Sequence, residues 1–416
     1  MDFHSNPYSI SLALIAALLF SLILFRELQQ KHRKKLHPIG GTIFNQLLNF
    51  HRLQHYMTDL AGKYKTYRLL SLSRSEIYTT DPANVEYNLK TNFENYGKGW
   101  YHNSILKDLL GDRIFVVDGD KWRQQRKLSS YEFSTKVVRN FSSIIFQRNV
   151  ARLSHILSEA TVSNENIDIQ MKRVLNIGSE AALKKNIKVT DNFVYKLIHT
   201  KIQQMHDSHD DSAMKKEDIL SRHPAVQDKV AVEVKEATNT KGIDNFAEFA
   251  ASMSEEVLEK MQYLHAAITE TIRLYPPLPV AWKTLSDGKI CFSEDTLPDG
   301  FSVKKGDMVA YQPYAMARMR FIWGDDAEEF RPERWLDEDG VFRQESPFKF
   351  TAFQGGPRIC LGKEFAYRQM KIFSAVLLGC FVFELRDDKK IVNYRTMINL
   401  HIDGGLHVRA FKSHGS

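Results

Sequence analysis

A ten-residue stretch near the end of the chain, Phe353–Gly362, constrains the fold most strongly. Its sequence, FQGGPRICLG, places Cys360 in a glycine-rich turn, two residues after Arg358. Gly356 and Gly362 allow the backbone to curl around the sulfur and to offer N–H groups to it. The pattern therefore indicates a ligand loop built around a thiolate. A buried structural cysteine in a turn is the alternative, because free cysteine is often buried for packing.

A thiolate in such a loop can hold haem iron from one side and push electron density through it, which favours cleavage of the dioxygen bond. Arg358 is then placed to pair with a haem propionate, and Phe353 to shield the sulfur from water. The three cysteines, Cys291, Cys360 and Cys380, form no Cys-x-x-Cys pair. This argues against a disulfide framework and a multi-cysteine zinc site, and it fits a reducing compartment.

Two further pairs of residues stand upstream on stretches with a helical pattern. Glu270 and Arg273 lie three residues apart in Tyr263–Tyr275, on the same face of an amphipathic helix. Trp122 and Arg126 lie one turn apart in an earlier helical stretch. Each pair by itself is typical of an ordinary solvated helix surface.

In their order along the chain, these motifs together resemble the cytochrome P450 family. The cysteine loop is similar to the haem-binding signature of that family, and Glu270 with Arg273 to its Glu-x-x-Arg pair. Arg334, in the later stretch Phe330–Trp335, resembles the arginine that completes the family's triad. Trp122 and Arg126 resemble a Trp-x-x-x-Arg element, whose indole N–H and guanidinium bind a haem propionate.

The resemblance implies the P450 fold, which is mainly α with small β-sheets, and haem (iron protoporphyrin IX) with Cys360 as the metal ligand. Cofactor-binding roles are implied for Cys360, Arg358, Phe353, Gly356, Gly362, Ala366, Trp122 and Arg126. It also implies that Glu270, Arg273 and Arg334 form a structural scaffold around the ligand loop. A monooxygenase that receives electrons from NADPH through cytochrome P450 reductase is the activity that follows.

The beginning of the chain predicts a single membrane-spanning helix. Tyr8–Phe25 is apolar and uncharged, and its length can just cross a bilayer. Basic residues follow it between Arg26 and Lys35, which by the positive-inside rule predicts that the rest of the chain lies in the cytoplasm. We expect an anchor at 1–25, a basic and Pro/Gly hinge at 26–41, and a P450-like haem domain at 42–416, on the endoplasmic reticulum membrane. A cleaved signal peptide is the competing interpretation.

Composition and local patterns add coarse expectations. A hydrophobic content of 43% can fill a sizeable core, and the net charge of +7 is spread along the chain apart from the cluster after the first segment, so nucleic-acid binding is not indicated. Alternation predicts a hairpin from Tyr64–Leu72 and Arg74–Thr80, followed by a helix capped by Asp81. Further helices are expected at Trp122–Ile156 and Lys363–Leu378, and a hairpin at Tyr394–Val408 with its turn at residues 403–405.

Three stretches narrow the resemblance to plant P450s of the fatty-acid ω-hydroxylase clan: Tyr311–Met319, Trp323–Trp335 and Ile43–Leu70. This resemblance implies hydroxylation of long-chain fatty acids at or near the ω end. A P450 of the same clan that acts on another lipophilic substrate is the alternative.

The chain also departs from the family pattern. P450s carry a long central helix over the haem, with an acid and a threonine in a form such as Ala/Gly-Gly-x-Asp/Glu-Thr, and no such pattern is present here. The sequence passes directly from a segment ending at Arg222, which resembles the one before that helix, to His223–Lys229, which resembles the one after it. A second omission is expected near residues 170–172. A non-catalytic or unstable P450 isoform is therefore the second functional hypothesis.

Overall fold

The computed structural model of the protein describes residues 38–70, 75–98, 107, 111–134, 136–163, 165–168, 223–240, 242–279, 289–386, 394–395, 400–402 and 406–413. Helices dominate this part of the chain, and short strands form small sheets beside them. The predicted mainly α class with small β-sheets is confirmed. The predicted anchor at 1–25 and most of the hinge at 26–41 lie outside the described residues. Among the helices that are described, none combines the length and apolar character needed to span a bilayer.

The helices differ widely in length. They are α1 (Ile43–Leu48), α2 (Leu53–Lys63), α3 (Pro82–Glu86), α4 (Gly119–Ser134), α5 (Lys136–Ser163), α6 (Pro224–Thr238), α7 (Phe246–Ala251), α8 (Glu255–Lys260), α9 (Gln262–Leu274), α10 (Pro313–Met316), α11 (Arg320–Trp323) and α12 (Lys363–Cys380). The helical pattern expected at Trp122–Ile156 is confirmed, and it is formed by two helices, α4 and α5. Asp81 caps α3 as predicted, since its carboxylate accepts a hydrogen bond from the N–H of Ala83 at 2.9 Å.

The strands form one larger sheet and three small ones. They are β1 (Ile39–Thr42), β2 (Thr66–Leu70), β3 (Ser75–Thr79), β4 (Tyr96–Gly97), β5 (Ile167–Asp168), β6 (Lys289–Cys291), β7 (Asp295–Thr296), β8 (Ser302–Val303), β9 (Met308–Tyr311), β10 (Phe381–Leu385), β11 (Tyr394–Arg395), β12 (His401–Ile402) and β13 (His407–Lys412). The six-stranded sheet has the order β1-β2-β3-β9-β6-β4, and the three-stranded sheet β10-β13-β5. Strands β11 with β12, and β7 with β8, form two-stranded sheets.

The predicted first hairpin is confirmed, while the strands expected to form the last one pair with other partners. Strands β2 and β3 pair antiparallel, with Thr66 opposite Thr79. At the end of the chain β11 pairs antiparallel with β12, with Tyr394 opposite Ile402, and the predicted turn at residues 403–405 lies outside the described residues. The following strand, β13, pairs antiparallel with β10 instead, over five residue pairs. The longer ladder with β10 satisfies more backbone groups than the predicted short hairpin could.

The main hydrophobic core lies where α5, α6, α7, α9 and α12 pack together beside β10 and β13. Helix α9 begins one residue before the predicted start and ends one residue earlier than predicted, and α12 begins at the predicted Lys363. The glycine-rich loop Phe353–Gly362 leads directly into α12. The core therefore holds the N-terminal end of α12, and with it the loop, in a defined position.

Candidate functional site

The cysteine loop closes on itself through its own backbone. The N–H of Cys360 donates to the carbonyl of Phe353 at 2.9 Å, across a short 3₁₀ turn at Gly356–Arg358. Gly356 has a φ of +63°, and a Cβ at this position would overlap the carbonyl oxygen of Leu89. Only glycine avoids both the strained conformation and this overlap. The loop is therefore pressed against the turn after α3, as well as joined to α12.

The thiol of Cys360 is exposed, whereas those of Cys291 and Cys380 are buried. Burial raises the pKa of Cys380 to about 12, so that thiol remains protonated at neutral pH. The alternative that Cys360 is a buried structural cysteine is wrong for this structure. A glycine, Gly362, lies beside the sulfur, and a Cβ there would be 4.0 Å from the Cys360 Sγ. A thiolate at Cys360 is thus free to take a ligand from the surface side.

Arg358 reaches from the loop to the start of α4. Its Nη2 donates to the Asp118 carboxylate at 2.6 Å and to the Val117 carbonyl at 3.2 Å. Its guanidinium carbon lies 4.4 Å from the centre of the Trp122 ring, which is a cation–π contact. Trp122 is buried, with 6% of its surface exposed. The predicted site residues Arg358 and Trp122 are therefore in direct contact.

Arg126, one turn after Trp122, completes the group. Burial lowers the pKa of its guanidinium, and the nearby charge of the Cys360 thiolate acts in the opposite direction. Burial likewise lowers the pKa of Arg358; Asp118 acts against this shift, and Arg126 adds to it by repulsion. The structure thus brings Cys360, Arg358, Trp122 and Arg126 into one electrostatic neighbourhood, as the sequence predicted. Arg126 has no hydrogen-bond partner among the described residues.

The polar atoms left over in this neighbourhood fit a carboxylate ligand. Only 8% of the Arg358 side chain is exposed. Its Nε is buried and makes no hydrogen bond with any described residue. An unsatisfied buried donor is costly, and guanidinium groups bind carboxylates through two parallel hydrogen bonds. Two guanidinium groups beside an exposed thiol therefore match the propionates and the iron of a haem.

Phe353 and Ala366 have less direct support. The ring of Phe353 packs on the core side of the loop, 5.3 Å from the Tyr367 ring and 6.5 Å from the Phe350 ring. Because the sulfur is exposed, shielding of Cys360 by Phe353 stays a prediction. Ala366 is half-buried in the first turn of α12, where its N–H donates to the carbonyl of Gly362 at 2.8 Å. Its contact with haem also stays a prediction.

In the predicted triad, the buried carboxylate of Glu270 pairs with two arginines. Glu270 accepts two hydrogen bonds from Arg273, at 2.7 and 2.9 Å, and one from Arg334 Nε at 2.8 Å. The N–H groups of the Trp335 indole and the Arg331 backbone also donate to it, at 2.9 and 3.0 Å. Burial opposes the ionisation of Glu270, but these donors outweigh it and lower the pKa of the carboxyl group. The Glu270 carboxylate is therefore ionised, and hydrogen bonds from protein groups stabilise its charge.

An aromatic chain connects the triad with the cysteine loop. The ring centre of Trp335 lies 5.1 Å from that of Phe350, which in turn contacts Phe353. The carbonyl of Phe353 then accepts the N–H of Cys360. Through these contacts, the triad of Glu270, Arg273 and Arg334 can support the cysteine loop, as its predicted scaffold role requires.

Two residues of the site, Trp335 and Asp118, were not predicted from the sequence. Trp335 donates to the triad, and its position directly after Arg334 was the available signal. Asp118 pairs with Arg358, but an acidic residue just before a helix is more commonly a cap or a dipole partner. Nothing local in the sequence distinguishes Asp118 from such a residue.

Apolar side chains remain exposed on the helices beside the site. Leu128 and Phe133 on α4 are 68% and 44% exposed, and Phe141 and Ile144 on α5 are 64% and 60% exposed. The ring of Phe133 would lie 3.6 Å from a Cβ at Gly362, so this surface begins next to the cysteine loop. Large apolar side chains exposed on neighbouring helices can mark a binding surface.

Comparison with known proteins identifies one family. The family profile described as Cytochrome P450 matches residues 32–214 and 219–407. Cytochrome P450 704C1 of Pinus taeda is 40% identical over 505 aligned positions, which cover 94% of this chain and 96% of that protein. Cytochrome P450 704B1 of Arabidopsis thaliana is 34% identical over 520 positions, covering 95% and 98%. Cytochrome P450 94B3 of the same plant is 32% identical over 500 positions, covering 95% and 96%.

These alignments also bear on the predicted omissions. All three are longer than the 416 residues of this chain, so each relative contains internal segments that have no counterpart here. The match to the family profile is interrupted at residues 215–218. That interruption lies close to the junction of Arg222 and His223, where the central helix was expected to be absent.

Proposed function

The chain belongs to the cytochrome P450 family of monooxygenases, and from this premise we propose that it binds haem through Cys360 and hydroxylates long-chain fatty acids at or near the ω end. The observation that carries the proposal is the exposed Cys360 thiol beside Arg358 and Arg126. When bound, a thiolate-ligated haem supplies the activation of dioxygen that inserts one oxygen atom into a C–H bond.

The residues of the chain would hold and tune that cofactor. Cys360 would supply the thiolate, in a loop whose shape is maintained by Gly356 and by the hydrogen bond to Phe353. Arg358 and Arg126 would neutralise the propionates, with the Trp122 ring supporting the guanidinium of Arg358. Backbone N–H groups and glycines of the loop would set the hydrogen bonding of the sulfur and its access to solvent, both of which tune the potential of a thiolate-bound haem iron.

The fatty-acid substrate rests on the resemblance of three segments to the plant ω-hydroxylase clan. In the structure, Tyr311–Met319 contains the last residue of β9 and helix α10, and Trp323–Trp335 contains the last residue of α11 and the loop that carries Arg334. Their role there is to build the scaffold. Another lipophilic substrate of the same clan is the alternative.

A second function has specific support, namely a haem-binding but non-catalytic isoform. Its relatives contain segments that this chain lacks, and the interruption of the family match lies beside the expected position of the oxygen-activating helix. The exposed Phe133, Phe141 and Ile144 fit the loss of a covering element. A positioned proton donor contributes about 10² to 10⁴ in rate. We therefore expect slow hydroxylation and leakage of electrons as peroxide or superoxide.

One experiment separates the two functions. The full chain and a version with a family-like central helix inserted between Arg222 and His223 are assayed with long-chain fatty acids, NADPH and a reductase. The matched control carries the same insertion with its acid and threonine replaced by alanine. The helix-restored chain should form at least about 10² times more hydroxylated product per electron than either of the others. Equal yields from all three would eliminate the non-catalytic hypothesis, and absence of a haem spectrum from all three would eliminate both.

We further propose that residues 1–25 anchor the chain in the endoplasmic reticulum membrane, with residues 42–416 on the cytoplasmic side, where cytochrome P450 reductase delivers electrons from NADPH. The support is the apolar run followed by basic residues. Deletion of residues 1–25 should leave only weak membrane association. Glycosylation of a sequon introduced after residue 40 would place the chain in the lumen and overturn this topology.

A further inference from the structure

Asp118 lies between three elements of the candidate haem site. It directly precedes α4, and its Oδ1 accepts hydrogen bonds from Arg358 Nη2 at 2.6 Å and from the Lys98 backbone N–H at 3.0 Å. A Cβ at Gly97 would be only 2.8 Å from its other oxygen, so the carboxylate lies close against strand β4. Its side chain is 27% exposed. Asp118 is therefore fixed between β4, α4 and the cysteine loop.

A carboxylate at this place is unexpected, because it would compete with a propionate for the same arginine. The competition is avoided by geometry. Asp118 and the Val117 carbonyl both use Nη2 of Arg358, while Nε is buried and makes no hydrogen bond with a described residue. A guanidinium has five donors in a rigid planar fork. The Nε–H and the two N–H groups of Nη1 therefore remain available to a second carboxylate.

The position of these donors is restricted from two sides. The guanidinium carbon of Arg358 lies over the Trp122 ring, 4.4 Å from the ring centre. The hydrogen bond to Asp118 holds Nη2 on the other side. Asp118 also offsets the repulsion between Arg358 and Arg126, which would otherwise stand together as two positive charges.

We propose that Asp118 is a positioning residue for haem: it occupies Nη2 of Arg358 and holds the guanidinium so that the remaining donors, at Nε and Nη1, are available to a propionate. This inference rests on the proposed haem-binding function. It predicts that the contribution of Asp118 to haem binding passes through the propionates and not through the iron. Asp118→Ala removes both the acceptor and the charge, whereas Asp118→Asn retains an acceptor oxygen and removes only the charge.

The test uses the full chain, loaded in parallel with haem and with haem dimethyl ester, in which both propionates are esterified. Haem release is followed by transfer to apomyoglobin. Loss of a charged hydrogen bond predicts that Asp118→Ala releases haem about tenfold faster than the wild type. Asp118→Asn should show a smaller increase and a more positive iron midpoint potential, since one negative charge near the ferric state is lost. With the dimethyl ester, the release rate of neither variant should differ from that of the wild type.

Asp120→Asn is the matched control, because Asp120 pairs with Arg123 on the surface and its side chain is 88% exposed. Its release rate and potential should equal those of the wild type. Release rates of both Asp118 variants within twofold of the wild type would overturn the inference while leaving haem binding intact. Equal acceleration with haem and its dimethyl ester would also overturn it, since Asp118 would then support only the fold. A wild-type chain without any Soret band would overturn the proposed function, and the inference with it.

Discussion

Two clusters in this molecule contain nearly the same residue types, but the buried polar atoms of one are all hydrogen-bonded and those of the other are not. The first cluster is the triad of Glu270, Arg273 and Arg334, together with Trp335. The second, the Arg358 cluster, consists of Asp118, Arg358, Arg126 and Trp122. In the triad, each arginine and the carboxylate find protein partners, and no side-chain nitrogen or oxygen of Glu270, Arg273 or Arg334 is buried without a hydrogen bond. In the other cluster, the Nε of Arg358 is buried and unbonded. Complete satisfaction within the chain fits a scaffold, while an unsatisfied arginine donor beside an exposed thiol fits a place for a ligand.

The difference has an energetic basis. A buried charge is expensive unless opposite charge and hydrogen bonds surround it, and the triad meets this condition within the chain. The Arg358 cluster has a carboxylate on one side only and two guanidinium groups that repel each other. A ligand with two carboxylates would complete it. Substitutions should therefore separate the clusters: those in the triad should affect stability of the apo chain, and those in the Arg358 cluster should affect haem.

The largest effect on stability is expected from Glu270→Ala. The change leaves Arg273 buried and unpaired, and breaking a buried pair costs about 3 to 5 kcal/mol. The free energy of unfolding of the apo chain, measured by urea denaturation, should fall by this amount, and haem retention and solubility should fall with it. Glu86→Ala is the control, because Glu86 forms an exposed pair with Lys90. It should cost less than about 1 kcal/mol, and a similar cost for both variants would contradict the scaffold role.

A second prediction concerns the pH dependence of the triad. The pKa of Glu270 in the folded chain is below its ordinary value of 4.5. Its contribution to stability is therefore fully present above pH 4.5 and is lost as the pH falls through the folded pKa. The advantage of the wild type over Glu270→Gln should be constant from pH 7 to about pH 5 and shrink below that. Unfolding curves of the apo proteins at a series of pH values measure this, and an advantage that grows on acidification would contradict it.

Arg126→Leu should have the opposite signature. Arg126 has no hydrogen-bond partner among the described residues and repels Arg358. The free energy of unfolding of the apo chain should thus change by no more than about 0.5 kcal/mol, or increase slightly. Haem release should accelerate about tenfold, because a charged bond to a propionate is lost. Lys127→Leu is the neighbouring control, and it should leave haem release unchanged. A large loss of apo stability in Arg126→Leu would show that the two clusters do not differ as proposed.

The smallest effect on stability, and the most complete effect on the spectrum, is expected from Cys360→Ala. The thiol is exposed, so the apo chain should lose no more than about 0.5 kcal/mol. The reduced, CO-bound absorption spectrum should lose its thiolate-type band, since no sulfur would remain to bind the iron. Cys380→Ala should keep that band, although it alters a buried core side chain. Survival of the band in Cys360→Ala would reject the ligand assignment.

Much of the site was predictable because its signals are local. The glycine-rich turn around Cys360, the spacing of Glu270 and Arg273, and the cap at Asp81 each depend on residues within a few positions of one another. The same holds for α9 and for the hairpin of β2 and β3. Helical and strand periodicity report local burial, and capping reports local hydrogen bonding.

The sequence by itself thus determined the ligand loop, the triad and the family to which the chain is similar. Tertiary structure alone decided that Asp118 meets Arg358 across 240 residues of chain, and that β13 leaves the expected hairpin to pair with β10. It also decided that the buried Nε of Arg358 stays without a hydrogen bond to a described residue. These contacts depend on how segments distant in the sequence pack together, and on which donors and acceptors that packing brings within hydrogen-bonding distance. Residue spacing carries no information about either.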